Sequence, residues 1–151
     1  MPVHSVVITN STGVVLFTKY YDSEVLSTLD GRSYFERYLF RHTRGYWCRA
    51  ATKQAVSFLN VHVLLQAYGD LIIFLTGTDD VDELILSDVM ELIHQILTDS
   101  SVDVRAAEAG LLIPDNYGKL SISLDEMMPD GIIETFDHET IKKMTKLKHF
   151  S

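Results

Sequence analysis

Two pairs of strand-like runs, each folded about a tight turn, and one long amphipathic run after them constrain this chain more than any other feature of its 151 residues. Val3 to Thr9 is rich in β-branched residues and breaks at Asn10-Ser11-Thr12-Gly13, after which Val14 to Tyr21 is again rich in Val, Phe, Thr and Tyr. Branched and aromatic side chains on either side of a Gly-containing turn predict a hairpin. Ala55 to Ala67 and Leu71 to Thr76 repeat the arrangement around Tyr68-Gly69-Asp70 and predict a second one. Beyond it, Leu84-Ile85-Leu86, Val89-Met90, Leu92-Ile93 and Ile96-Leu97 recur three and four residues apart, which predicts a helix over 81–98.

The remaining segments are shorter. Ser33 and Glu36 have the spacing of a capping box, so a helix is expected from Tyr34 to Arg41 with Phe35, Tyr38 and Leu39 inward, followed by an irregular link over 42–53. Ser100 or Ser101 caps a further expected helix over 102–112, stopped by Pro114. Leu120, Ile122 and Leu124 alternate as in a strand, whereas Leu120, Leu124, Met127 and Met128 recur as on a helix, and periodicity alone does not choose. After a turn at Pro129-Asp130-Gly131 and a brief extended Ile132-Ile133, an amphipathic helix opening at Asp137 carries Ile141, Met144 and Leu147 on one stripe. No repeat or linker divides the chain, so 1–151 reads as a single domain.

Thirteen Lys and Arg against twenty-one Asp and Glu give a formal charge of −8, a field that repels phosphate backbones and argues against nucleic acid as a partner. The positive residues cluster nonetheless, with Arg37, Arg41, Arg44 and Arg49 in the middle and Lys142, Lys143, Lys146 and Lys148 near the end. Direct membrane contact would have to use one of these patches. Cys48 is alone, which removes an internal disulfide and suits a reducing compartment. Apolar stretches fall short of the roughly 18 residues a spanning helix needs and the N-terminus lacks a signal pattern, so a cytoplasmic protein is expected.

Chemistry-bearing patterns are sparse. His4, His42, His62, His94, His138 and His149 show no metal-ligand spacing, and Asp79-Asp80-Val81-Asp82-Glu83 lacks the glycine and downstream glutamate of a calcium loop, matching instead the acidic start of a helix. Gly69 and Gly77 do not form a phosphate-cradling loop. Cys48 has no base at a nucleophile's spacing, and adjacent Asp125 and Glu126 diverge by about 100° on a helix. The reading is therefore no catalytic residue, no cofactor and no metal. Tyr46-Trp47, an aromatic pair flanked by Arg44 and Arg49, is the candidate partner-binding site, with the alternative that Trp47 folds back over the edge of the core.

Leu16-Phe17-Thr18-Lys19-Tyr20-Tyr21-Asp22, Phe35-Glu36-Arg37-Tyr38-Leu39-Phe40-Arg41-His42-Thr43, Asp82-Glu83-Leu84, Leu124-Asp125-Glu126-Met127 and Asp130-Gly131-Ile132-Ile133-Glu134 stand in an order and spacing that resembles the small longin-fold subunits of vesicle coats. The relatives are coatomer zeta, the sigma subunits of clathrin adaptors and the small subunit of the TSET/TPLATE complex. The segment 102–116 is longer than its counterpart in sigma subunits. The resemblance implies an α/β (α+β) longin-like, SNARE-like domain, a five-stranded antiparallel sheet with helices on its faces, and it favours helix for the stretch from Leu120 to Met128. It also implies a non-enzymatic subunit of a heterotetrameric coat or adaptor complex, bound obligately to a large helical-solenoid trunk subunit and a medium subunit. The membrane, of transport vesicle, Golgi or plasma membrane type, would be reached peripherally through the complex. A free-standing longin-type trafficking regulator that binds a small GTPase is the alternative.

Overall fold

The computed structural model describes residues 3–21, 29–58, 61–78, 83–99 and 114–128. Five strands, β1 (Val3–Asn10), β2 (Val15–Tyr20), β3 (Gln54–Phe58), β4 (Val61–Tyr68) and β5 (Leu71–Thr78), form one sheet in the order β2-β1-β5-β4-β3. Every neighbouring pair is antiparallel. The helices among the described residues are α1 (Leu29–Thr43), α2 (Glu83–Asp99) and α3 (Pro114–Met127), with a 3-10 helix (Arg44–Arg49) directly after α1.

The first hairpin forms where the sequence places it. Asn10 closes the turn by accepting, through Oδ1, from the backbone N–H groups of Thr12 and Val14 at 3.0 and 2.9 Å, and Gly13 takes the positive φ of 96° that the reversal requires. The second predicted hairpin is a three-stranded meander, because the run read as one strand over 55–67 divides into β3 and β4. Register Ala55↔Leu64 and Val56↔Val63 pairs the two halves, and period-2 patterning gives no mark for the fold-back between them.

Strands β1 and β5 lie in the middle of the sheet and are covered on both sides. That explains their nearly unbroken apolar runs, Val6-Val7-Ile8 and Leu71-Ile72-Ile73-Phe74-Leu75, all buried. Alternate residues serve two cores. Val6, Ile8, Leu71, Ile73 and Leu75 meet α2 and α3 through Leu86, Met90, Ile93, Leu97, Leu120, Leu124 and Met127. Val7, Ile72 and Phe74 meet α1 and the 3-10 helix through Leu39 and partly buried Phe35, Phe40 and Trp47. The face toward α1 also holds a polar pair: Ser5 and Thr76, both fully buried, share a hydroxyl–hydroxyl hydrogen bond.

Two local expectations change, both in α1. Helix α1 begins at Leu29, so Ser33 lies inside it and is exposed rather than capping. Glu36 instead accepts the Tyr20 hydroxyl at 2.8 Å, tying α1 to β2, and Tyr38 stays on the outer side of the helix. Pro114 is the first residue of α3, where a missing N–H costs nothing; the helix it was expected to stop lies outside the described residues. The ambiguous Leu120–Met128 stretch is helical, with Leu120, Leu124, Met127 and Met128 all buried. The expected helix over 102–112, the turn at Pro129, the helix from Asp137, the terminal lysines and all but Glu83 of the acidic run lie outside the described residues.

Candidate functional site

With both faces of the sheet covered, what the described residues leave open to a partner is the outer sides of the helices, the link after α1 and the sheet edges. The link is ordered by its aromatic residue. Trp47 packs its ring 5.6 Å from Phe74 and 5.7 Å from Phe40, centroid to centroid. Its Nε1 donates to Thr43 Oγ1 at 3.0 Å, and that hydroxyl donates to the Leu39 carbonyl at 2.8 Å. Gly13 approaches from the β1–β2 turn so closely that a Cβ there would stand 3.2 Å from the Trp47 ring. Trp47 therefore acts as a bracket between the first turn, α1 and the sheet, which accords with the fold-back alternative.

The outward side of this bracket is cationic. The Arg44 guanidinium lies 4.7 Å from the centre of the Trp47 ring, and Arg49 lies 5.4 Å from that of Tyr46, both within cation–π range. Arg44 and Arg49 are exposed and Tyr46 is partly so, so this edge presents charge held on flat aromatic supports. Cys48 is exposed beside it.

Helix α1 continues the surface. Its inner side carries Phe35, Leu39 and Thr43; at 100° per residue Asp30, Tyr34, Arg37 and Arg41 fall opposite, and Tyr38 and His42 fall on the flank between. Tyr34 is 61% exposed, Arg37, Arg41 and His42 are exposed, and the rings of Tyr34, Tyr38 and His42 form a continuous row at centroid spacings of 5.7 and 4.7 Å. The sequence reading missed this row because it started α1 five residues late and turned Tyr38 inward. A wheel drawn over the full helix would have shown it.

The other sequence candidates fall into structural roles. Asp125 pairs with Lys19 at 2.7 Å and Lys19 also donates to Ser121, fastening α3 to β2, while Glu126 turns to a partly buried position. Lys53 bridges to Ser87 and Glu91 at 2.8 and 3.0 Å, and its proximity holds the Glu91 carboxyl below the usual range. Burial pushes His4 and His94 below the ordinary imidazole value; His4 packs edge-on to Phe35 and His94 lies against Tyr68. Tyr20 is pushed up by burial and by its bond to Glu36. Among the described residues, no cluster of three His, Cys, Asp or Glu side chains is arranged to hold a metal, and no helix is long and apolar enough to cross a membrane.

The sequence profile of the clathrin adaptor complex small chain matches residues 2–150, nearly end to end. The chain belongs to that family. This small chain is 28% identical over 149 residues to the TSET complex member tstD of Dictyostelium discoideum, covering 97% of its own length and 94% of the relative's. It is 29% identical over 143 residues to coatomer subunit zeta-1 of Arabidopsis thaliana, with 92% and 76% covered. Its fold superposes with a TM-score of 0.66, at 14% identity, on a chain described as part of a homology model of the full-length AP-3 complex in a stretched open conformation, covering 98% and 94% of the two chains. The small chain thus has the α+β fold of an adaptor small subunit, and its five-stranded sheet is the one the resemblance implied.

Proposed function

We propose that this protein is a non-enzymatic small subunit of a heterotetrameric coat or adaptor complex in vesicle traffic, of the kind represented by the TSET and coatomer relatives. The observation that carries this reading is family membership over residues 2–150 together with end-to-end alignment to a TSET complex member. The structure adds a physical motive: the sheet's two faces are consumed by the chain's own core, and its exposed side chains include arginines held on aromatic rings, of the kind that anchor protein interfaces. The partners are a large helical-solenoid trunk subunit and a medium subunit, joined in a permanent interface of about 2,000 Å² or more. The Tyr46–Trp47 segment contributes to that interface, Trp47 as the support that positions Arg44 and Tyr46 as the exposed contact. Its location is cytoplasmic, peripheral on transport vesicle, Golgi or plasma membranes through the complex.

The test is isolation of the tagged protein from its native cytosol at moderate salt, with mass spectrometry of whatever co-elutes in stoichiometric amount. Large and medium subunits of one complex support the proposal and name the coat. A protein that elutes alone overturns it and favours a free-standing trafficking regulator that binds a small GTPase reversibly.

A further inference from the structure

We infer that the sheet edge at β3 is a self-pairing surface, on which β3 of a second copy of this chain adds antiparallel about a two-fold axis centred on Val56. The two edges of the sheet differ. At β2, the Thr18 carbonyl accepts the Tyr117 hydroxyl at 3.5 Å, Lys19 reaches Asp125 of α3 at 2.7 Å and Tyr20 reaches Glu36 of α1, so helices hold that strand from both faces. At β3, Gln54–Phe58 contains no charged residue and no Pro, and its ladder with β4 runs without a register shift. Charges, prolines, bulges and covering helices are the devices that keep an exposed edge from pairing. The nearest candidate, Lys53, turns its ammonium to Ser87 and Glu91 on α2.

The register identifies the open groups. The Ala67 N–H donates to the Ala50 carbonyl at 2.7 Å, so the odd-numbered residues of β4 turn their backbone toward β3. Gln54↔Leu65, Val56↔Val63 and Phe58↔Val61 are therefore the hydrogen-bonded pairs, and the N–H and C=O groups of Ala55 and Ser57 point away from the sheet. Both residues are exposed, and no backbone bond to these groups occurs among the described residues. A second β3 fits them without a clash of charge or size. Ala55 stands opposite Ser57 of the copy, and Ser57 opposite its Ala55, each pair exchanging both of its N–H···O=C bonds. Val56 meets Val56 of the copy in the closer, non-hydrogen-bonded pair between them, where branched side chains pack well. Val56 is partly buried against the core on the α1 side, so the pair extends that core across the two-fold axis. A strand already held by β4 loses less freedom on pairing than a flexible peptide does. With β2 guarded, each chain has one open edge, and pairing stops at two copies instead of running on as a fibre. The strand is about 17 Å long, which places the contact at the small, weak end of protein interfaces. Given the small-subunit role proposed above, the pair joins two complexes through their small chains where a membrane holds them close together.

Sedimentation equilibrium of the isolated full chain at moderate salt, from about 10 µM to about 1 mM, tests this. The expected result is a mass that rises from 17.1 kDa toward twice that value and no further. Ala55→Lys with Ser57→Lys sets like charges opposite each other across the two-fold axis and should weaken pairing about tenfold, while the dilute protein keeps its melting temperature because both side chains are exposed. Ala55→Lys with Ser57→Glu sets opposite charges across the same pairs and should restore pairing, a rescue specific to this register. Ala55→Pro removes one outward N–H without touching the β4 ladder and should also weaken it. A chain that stays at 17.1 kDa throughout overturns the self-pairing and leaves the edge to an extended segment of another polypeptide. A dimer that survives both Ala55→Lys with Ser57→Lys and Ala55→Pro overturns β3 as its site, and one that Ala55→Lys with Ser57→Glu fails to restore overturns the register. A mass that climbs beyond two copies overturns the closed pair. None of these results bears on the subunit role, which co-isolation tests separately.

Discussion

Removing the Trp47 ring tests whether the link after α1 is held by the core or waits for a partner. The ring is partly buried against Phe40 and Phe74, and taking roughly 100 Å² of apolar area as lost gives about 2.5 kcal/mol. The hydrogen bond to Thr43 adds about 1 kcal/mol. Trp47→Ala should therefore cost the isolated protein about 3.5 kcal/mol in urea denaturation, with an unchanged m-value. Trp47→Phe keeps most of the ring contact and gives up the N–H donor, so about 1 kcal/mol is expected. Thr43→Val should cost a similar amount, and the pair in a double-mutant cycle should be coupled rather than additive. A Trp47→Ala cost below about 0.5 kcal/mol would refute the bracket, because an exposed ring loses almost nothing on truncation.

Three further outcomes follow from the same contacts. Gly13→Ala should destabilise by about 1–2 kcal/mol, since φ of 96° disfavours a side chain and the new Cβ meets Trp47 at 3.2 Å; thermal melting of the single variant and of the Trp47→Ala background would separate the two causes. Leu124→Ala, at a fully buried position between α3 and the sheet, should cost about 3–5 kcal/mol by denaturation, whereas Asp125→Ala beside it should cost under about 1 kcal/mol because its ion pair with Lys19 is half exposed. Stability should also rise with pH through the imidazole range. Burial depresses His4 and His94 in the fold, so as pH falls below 6.5 the unfolded chain binds protons first and the native state loses ground. Melting curves between about pH 5.5 and 7.5 should show this, and His94→Asn should flatten the slope; an unchanged slope in that variant would remove His94 as a source.

How much of this was legible beforehand depended on whether a segment's pattern had one explanation or two. The Asn10–Gly13 turn was legible because an Asx side chain and a positive-φ glycine both serve one reversal. Helix α2 was legible because its apolar residues recur over four turns. The β3–β4 division was hidden, since strands that fold back within an apolar run keep the same alternation. The Ser33–Glu36 spacing misled because Glu36 instead accepts from Tyr20 of β2, a contact between helix and strand that no local rule contains. The same error concealed the Tyr34–His42 row. Tyr46 and Trp47 stand out in the sequence as an aromatic pair, yet only the packing shows Trp47 turned onto Phe74 with Arg44 above it.

Central to the account is that this chain works as one part of a larger assembly, and the native mass of the endogenous protein tests that most directly. The chain alone is 17.1 kDa. Sedimentation of fresh cytosol at moderate salt, followed by immunodetection, should place essentially all of it in one species many times heavier, with little at the monomer position. A single peak at the monomer mass, unchanged with protein concentration, would contradict the account.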